Sequence, residues 1–180
     1  MKKLMAILVA LTMIMGISAA MAAAPSAEDV STVFINGEGD IYIVWTDDPD
    51  VGDDAESPAG EVKDAYQSGS PLDVLPAEIR AQLPEGYTVV NEVRSAKFAG
   101  NLDKLAELNE LKAEFKFDTP YDEGEIVYLA IGVAAGEDTE WFLLESVGNA
   151  EHNLEVTFDR AALTKIGENS FVVMAISKAK

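Results

Sequence analysis

Cysteine is absent from this 180-residue chain. No disulfide can staple it, and no thiolate can act as nucleophile or metal ligand. Histidine occurs once, at His152. That excludes a zinc centre built from several His or Cys ligands, and Cys–His catalysis with it. Basic residues are scarce. Thirteen Lys and Arg stand against 32 Asp and Glu, a formal charge of −19. Such a surface repels nucleic acid, whose binding depends on neutralising phosphates with Lys and Arg, and it repels anionic lipid as well. It favours solubility and divalent cations. Phosphate-binding and dinucleotide fingerprints are missing, and "GEG" at Gly37 to Gly39 reads as a turn. No G-x-S-x-G elbow surrounds a serine, and "SGSPL" around Ser70 fails at its flanks.

Long apolar runs are missing except at the start. "MKKLMAILVALTMIMGISAAMAAAPS" has Lys2 and Lys3 ahead of an apolar run from Leu4 to Ile17, then Ala20-Met21-Ala22. This is the pattern of a secretory signal peptide, with cleavage expected after Ala22 or Ala20. The run is short of the roughly 20 residues a spanning helix needs. A retained anchor is the alternative. The expected location is secreted, extracellular or periplasmic, with no transmembrane anchor after signal cleavage. Without disulfides, a hydrophobic core must hold the exported fold.

What remains divides into a signal peptide over 1–22, an N-terminal segment with a hairpin over 23–46, an acidic flexible loop over 47–71, and a β-domain over 72–180 with a helix at 73–83. In "STVFINGEGDIYIVW" the apolar residues alternate on both sides of Asn36-Gly37, a hairpin signal. Pro, Gly, Ser and Asp dominate from Thr46 to Pro71, so little there offsets the entropy of ordering. In "LDVLPAEIRAQLPEG", Leu75, Ile79 and Leu83 recur every four residues, with Pro76 suited to a first turn and Pro84 and Gly86 as the stop. "YTVVNEVRSAKF" reads as a strand, and "NLDKLAELNEL" as a short helix or an irregular link. "KAEFKF", "IVYLAIGV", "EWFLLESV", "LEVTF" and "SFVVMAIS" follow as strands, the second apolar on both faces and therefore central. "DRAALTKIG" is a short helix capped by Asp159 and closed by Gly167.

Short strands with polar turns, packed so densely, predict a mainly β fold of antiparallel sheets in a sandwich, α+β overall because of the N-terminal hairpin and one or two short helices. The layout of Phe115 to Ser177, with Trp141 in a mid-domain strand, resembles the immunoglobulin-like accessory modules of bacterial extracellular proteins. The resemblance covers the last third of the chain and implies an Ig-like sandwich. It implies no activity, since that fold hosts many functions.

The candidate chemistry is thin. "TDDPDVGDDAESPAGE" gathers Asp47, Asp48, Asp50, Asp53, Asp54, Glu56 and Glu61. No frame matches an EF-hand, because Gly52 falls where a ligand is needed. The stretch reads as a solvated acidic loop. The alternative is a weak calcium site, of order 10⁻⁴–10⁻³ M, through Asp47 to Glu56. His152 lies in the turn "GNAEHN" and reads as an exposed turn residue. Of the aromatic residues, Trp141 and Tyr128 read as core, while Tyr66 and Tyr121 read as the most exposed. Trp141 and Leu143 share one strand face and Phe142 and Leu144 the other; both faces are apolar, which fits a strand covered on one side by the opposing sheet and on the other by the helix near Ile79 and Leu83.

No nucleophile–base pair stands out, so no catalytic residue and no cofactor are expected. The expected function is that of an exported, non-catalytic module that binds an unknown protein or glycan partner at the cell surface. The alternatives are a carbohydrate-binding accessory protein and a small hydrolase working through carboxylates.

Overall fold

A computed structural model describes residues 32–34, 41–45, 58–135 and 138–179. The signal peptide, the Asn36-Gly37 turn and the acidic residues Asp47 to Glu56 lie outside the described residues. Eight strands are present among the described residues: β1 (Thr32–Phe34), β2 (Ile41–Trp45), β3 (Tyr87–Gly100), β4 (Glu110–Phe115), β5 (Ile126–Ala135), β6 (Asp138–Gly148), β7 (Leu154–Asp159) and β8 (Phe171–Lys178). Helices are few and short: α1 (Pro58–Ser68), a 3₁₀ turn (Pro71–Val74), α2 (Ala77–Arg80), α3 (Leu102–Leu105) and α4 (Arg160–Ile166).

The strands form one antiparallel sheet in the order β1-β4-β7-β6-β5-β8-β3-β2. The mainly β, antiparallel class is as expected. The arrangement is a single curled sheet, with continuous hydrogen bonding where the sequence suggests two packed layers. The curl brings β1 and β2, the ends of the strand order, within 8 Å Cα–Cα of each other. The expected hairpin partners therefore do lie close, but β1 takes its ladder from β4 and β2 from β3.

Curling gives the sheet an inner and an outer face, each with its own core. Phe98, Phe115, Leu129, Ile131, Leu154, Phe158 and Val173 line the inside. β4 and β7 fix the two ends, pairing Glu110 with Asp159 and Phe115 with Leu154. At the first end α4 inserts Ala162, Leu163 and Ile166. Its N-cap is the expected one: Asp159 Oδ1 accepts from Ala162 N–H at 2.8 Å, and Gly167 ends the helix at φ 53°. At the other end the β4–β5 loop contributes Phe117 and Tyr121.

The outer face of β3, β8, β5 and β6 is covered by the segment that precedes β3. Val62, Leu75 and Ile79 pack there against Ala130, Trp141, Val172, Met174 and Ile176. Two expectations for this segment fail. The loop expected to run to Pro71 is helical from Pro58 to Ser68. Val62, fully buried, anchors that helix to the sheet, which offsets the ordering cost. The single helix expected over 73–83 is broken. Leu75 is extended at φ −76°, ψ 133°, and Pro76 serves as N-cap to the four-residue α2. The physical reason is that proline disfavours the α conformation in the residue before it. The contacts survive the break: Leu75 and Ile79 are buried, and Leu83 packs on the same cluster.

Candidate polar pocket at the β3–β8 end

Chain irregularity at the start of β3 creates a hollow of mixed chemistry. Tyr87 pairs with Lys178 and Val89 with Ser177, then Val90 with Ile176 and Glu92 with Ala175. Thr88 and Asn91 are therefore extra residues, two bulges within five positions. A bulge bends a strand and re-aims its side chains. Here it also swaps faces. Val90 packs on the outer cluster, whereas Glu92 stands opposite Ala175 of the inner core. The carbonyl freed at Asn91 accepts from the Tyr66 hydroxyl of α1 at 3.3 Å.

Glu92 turns inward and fastens the β4–β5 loop. Its Oε2 accepts from the N–H groups of Asp118 and Thr119 at 3.0 and 3.2 Å, and Oε1 meets Arg94 Nη1 at 3.3 Å. The side chains of Glu92 and Arg94 are 12% and 21% exposed. The Arg94 guanidinium also sits 5.0 Å above Trp45, which stacks on Phe115. Glu92→Ala should cost about 3 kcal/mol, because two loop N–H groups lose their carboxylate and the Arg94 guanidinium, which also meets Asp118 Oδ2 at 3.5 Å, loses the more buried of its two acidic neighbours. Glu92→Gln, which keeps one acceptor oxygen, should lose roughly half as much. Urea denaturation of the two variants checks the order; equal stability for all three proteins would show that the loop is not held from Glu92.

The fastened loop delivers Tyr121. Its backbone N–H donates to the His152 carbonyl at 3.2 Å, and His152 Nδ1 lies 2.9 Å from the Tyr121 carbonyl, which makes Nδ1 the protonated ring nitrogen. His152 is exposed in its turn as expected, at a positive φ of 65°. Tyr121 is a correction. It was expected among the most exposed aromatics, yet it is 1% exposed, because the loop folds back and lays its ring edge-on to Phe117. Tyr66, by contrast, is exposed, Trp141 is buried and Tyr128 is half-buried.

The Tyr121 hydroxyl is buried and has no hydrogen-bond partner among the described residues. Burial pushes its phenol well above the ordinary tyrosine range. Asn91 beside it pulls the other way, and the carboxylates Glu92 and Glu125 add to the rise. Below pH 10 the phenol is neutral both folded and unfolded, so it adds no pH dependence. Above pH 10 the unfolded phenol loses its proton and the folded one keeps it, so stability falls as pH rises, by up to about 1.4 kcal/mol per pH unit. Tyr121→Phe removes an unpaired buried hydroxyl and should stabilise the protein by about 1 kcal/mol at pH 7. That advantage should widen above pH 10. Melting both proteins from pH 7 to 11 checks this; a less stable phenylalanine variant would mean that the hydroxyl is bonded after all.

Beside Tyr121 lies a cavity of about 250 Å³. It is lined by Val89 and Asn91 from β3, Thr119, Pro120, Tyr121 and Glu125 from the loop, and Ser177 and Lys178 from β8. Asn91 Nδ2 donates to Ser177 Oγ at 2.9 Å. Glu125 Oε2 accepts from Asp122 N–H at 3.0 Å. Lys178 Nζ lies over the Tyr87 ring at 5.3 Å. The wall thus offers hydroxyls, an amide and one charge of each sign.

A wider hollow, of about 670 Å³, gathers Glu114, Glu123, Glu151 and Glu155 near the β6–β7 turn. Asn153 Nδ2 donates to Glu114 and Asn149 Nδ2 to Glu155, so two of these acids are engaged by neighbouring amides. Among the described residues no group of three or more Asp, Glu or His is placed to hold a metal ion. Of the acidic candidates only Glu61 is described, exposed on α1. No helix among the described residues is long and apolar enough to cross a membrane.

None of Asn91, Tyr121 and Ser177 stands out as a site residue in the sequence. The one available signal is Asn91-Glu92, which interrupts the apolar alternation of "YTVVNEVRSAKF". No family model, curated protein or solved structure matches this chain.

Proposed function

We propose that this chain is an exported, non-catalytic binding protein whose ligand occupies the cavity between β3, β8 and the β4–β5 loop. The observation that carries the reading is the hollow itself, where the bulged start of β3 meets β8 and the β4–β5 loop and brings Asn91, Thr119, Glu125 and Lys178 into one lining. Hydrolysis through paired carboxylates needs two facing acids, whereas Glu125 is the one carboxylate in this lining. Export follows from the Met1 to Ala22 leader, with a secreted, extracellular or periplasmic location and a partner at the cell surface. No cofactor enters the proposal. An immunoglobulin-like relationship enters it only as the kind of extracellular module that the strand layout resembles.

Two measurements test it. N-terminal sequencing of the secreted product should begin at Ala23 or close by; a membrane-bound product retaining Met1 would refute export. A melting-temperature screen against small molecules of every charge class should find compounds that stabilise the native protein and leave Val89→Trp, whose indole would fill the cavity from its exposed wall, unmoved. If no compound separates the two proteins, the cavity is not a binding site.

A further inference from the structure

We propose that the outer face of β4, β7 and β6 is a docking surface for a protein partner that presents Lys or Arg beside an apolar side chain. The proposal goes beyond the cavity reading and does not depend on it. The helices before β3 cover the outer face only as far as Tyr128 of β5 and Leu143 of β6. Past these two residues the face lies open among the described residues. Lys112, Val147, Glu155 and Thr157 are all exposed there.

Two features of the open face are unfavourable while it stands alone. Ile126 and Val147 are 41% and 40% exposed, and they are direct cross-strand partners. Single apolar side chains on a surface are ordinary, but two in register form one patch that a partner can take out of water. The same row continues across the sheet. Val147 pairs with Glu155, and Glu155 with Glu114. Like charges directly opposite each other on a sheet are destabilising. A cation over this pair would relieve the repulsion.

Charge selects the partner. Two hollows meet at Val147 and Glu155. Together they hold Glu114, Glu123, Glu145, Glu151 and Glu155 against Lys112 alone. Asn153, Asn149 and Tyr128 donate hydrogen bonds to Glu114, Glu155 and Glu145, which leaves the carboxylate charge unneutralised. None of the five is ion-paired among the described residues. A second copy of this chain would bring the same carboxylates, and nucleic acid or anionic lipid would be repelled. Spacing then orders the partner's side chains. Strands lie about 4.8 Å apart, so Glu114 stands roughly 14 Å from Ile126, three intervals away. An extended segment advances about 6.6 Å per same-face step. An apolar residue seated on Ile126 and Val147 is thus followed, two and four positions on, by cations facing Glu155 and Glu114.

The test uses the mature chain and an amidated peptide, Thr-Thr-Leu-Thr-Arg-Thr-Arg-Thr-Thr, labelled for fluorescence anisotropy at low ionic strength. It should bind with Kd below about 1 mM. Glu123→Gln with Glu155→Gln should weaken it about tenfold, and Ile126→Thr with Val147→Thr about fivefold. Glu107→Gln with Glu168→Gln removes the same charge outside both hollows and should change affinity less than about twofold. Glu155→Gln alone should melt no lower than the native protein, since it relieves the pair with Glu114. Val89→Trp, which fills the cavity at β3, should bind the peptide as the native chain does. Loss of binding in Val89→Trp would place the peptide in that cavity and overturn the proposal. Equal weakening by the Glu107 and Glu168 changes would show attraction to net charge alone and overturn it as well. Spermine, or the peptide with its leucine replaced by threonine, binding as tightly as the peptide itself would replace the protein partner with a small polycation. Absence of binding would sink the docking surface and leave the cavity reading to its own screen.

Discussion

Trp141→Ala should lower the stability of the protein by about 3–5 kcal/mol, enough to remove much of what holds a domain of this size. The side chain is 8% exposed and belongs to the outer cluster with Ile79, Leu75, Met174 and Ile176. Its ring lies across the cross-strand neighbour Gly132, so close that a methyl there would sit 2.8–2.9 Å from three indole carbons. An indole ring is rigid, so the methyl could not be accommodated by a small torsion. Gly132→Ala alone should therefore also destabilise, by about 1–3 kcal/mol. In the double variant the clash is gone, because the ring is gone. Its loss should be smaller than the sum of the two single losses, a coupling expected of touching residues. Thermal and urea melts of the four proteins complete the cycle. Strict additivity, or a Trp141→Ala protein of native stability, would show that the ring is not wedged under the helices.

Gly148→Ala is expected to do comparable damage by the opposite route, by adding one carbon. Gly148 donates its N–H to the Glu125 carbonyl and accepts from Gly124 N–H, both at 2.8 Å. The turn over 122–125 therefore rests flat on β6 at this residue. A Cβ on Gly148 would fall 2.1 Å from the Asp122 carbonyl oxygen and 3.4 Å from Tyr121 Cβ. Backbone cannot swing aside as a lysine tip can, so the turn must lift. Both hydrogen bonds are then strained, and overpacking adds about 1–3 kcal/mol. We expect a total near 3 kcal/mol and a fall in Tm on the order of 10 °C. Because this turn follows Tyr121 and carries Glu125, binding in the proposed cavity should vanish even at temperatures where the variant stays folded. A folded Gly148→Ala protein with unaltered melting and binding would mean that the turn does not depend on this contact.

Much of this architecture was legible in the residues, and the failures have physical causes. Strict alternation in "LEVTF" and "KAEFKF" marks half-buried strands, and the doubly apolar "IVYLAIGV" does sit centrally, between β6 and β8. That Trp141 shares a face with Leu143, and that one face of this strand meets Ile79 and Leu83, was legible from the strand period; which face does so was not, because both are apolar. The single curled sheet was not legible. Alternation tells which residues face a core, and it does not tell whether that core lies between two sheets or inside one. The helix over Pro58 to Ser68 escaped notice because its own sequence is a poor helix former, and its order comes from burying Val62. The site was the least visible part. A bulge moves Glu92 to the inner face and Asn91 beside Tyr121, and bulges leave no periodic signature. Tyr121 sits among Pro, Asp and Glu, so its neighbours suggest solvent. What fastens its loop against the inner core is a carboxylate from β3, distant in sequence.

The strand order has a consequence for when this protein can fold. β8 follows every other strand in the sequence, yet it lies between β5 and β3. Without it the ladder falls into two pieces, β1-β4-β7-β6-β5 on one side and β3-β2 on the other. The curl could not close, and the pocket would lose Ser177 and Lys178 together with the strand that holds Asn91 in register. A growing chain thus carries two open-edged fragments until its eighth strand arrives, and only then do distant segments lock in one step. Under the export proposed above, that delay would keep the chain threadable while it is moved, with the curled sheet completed only on the far side.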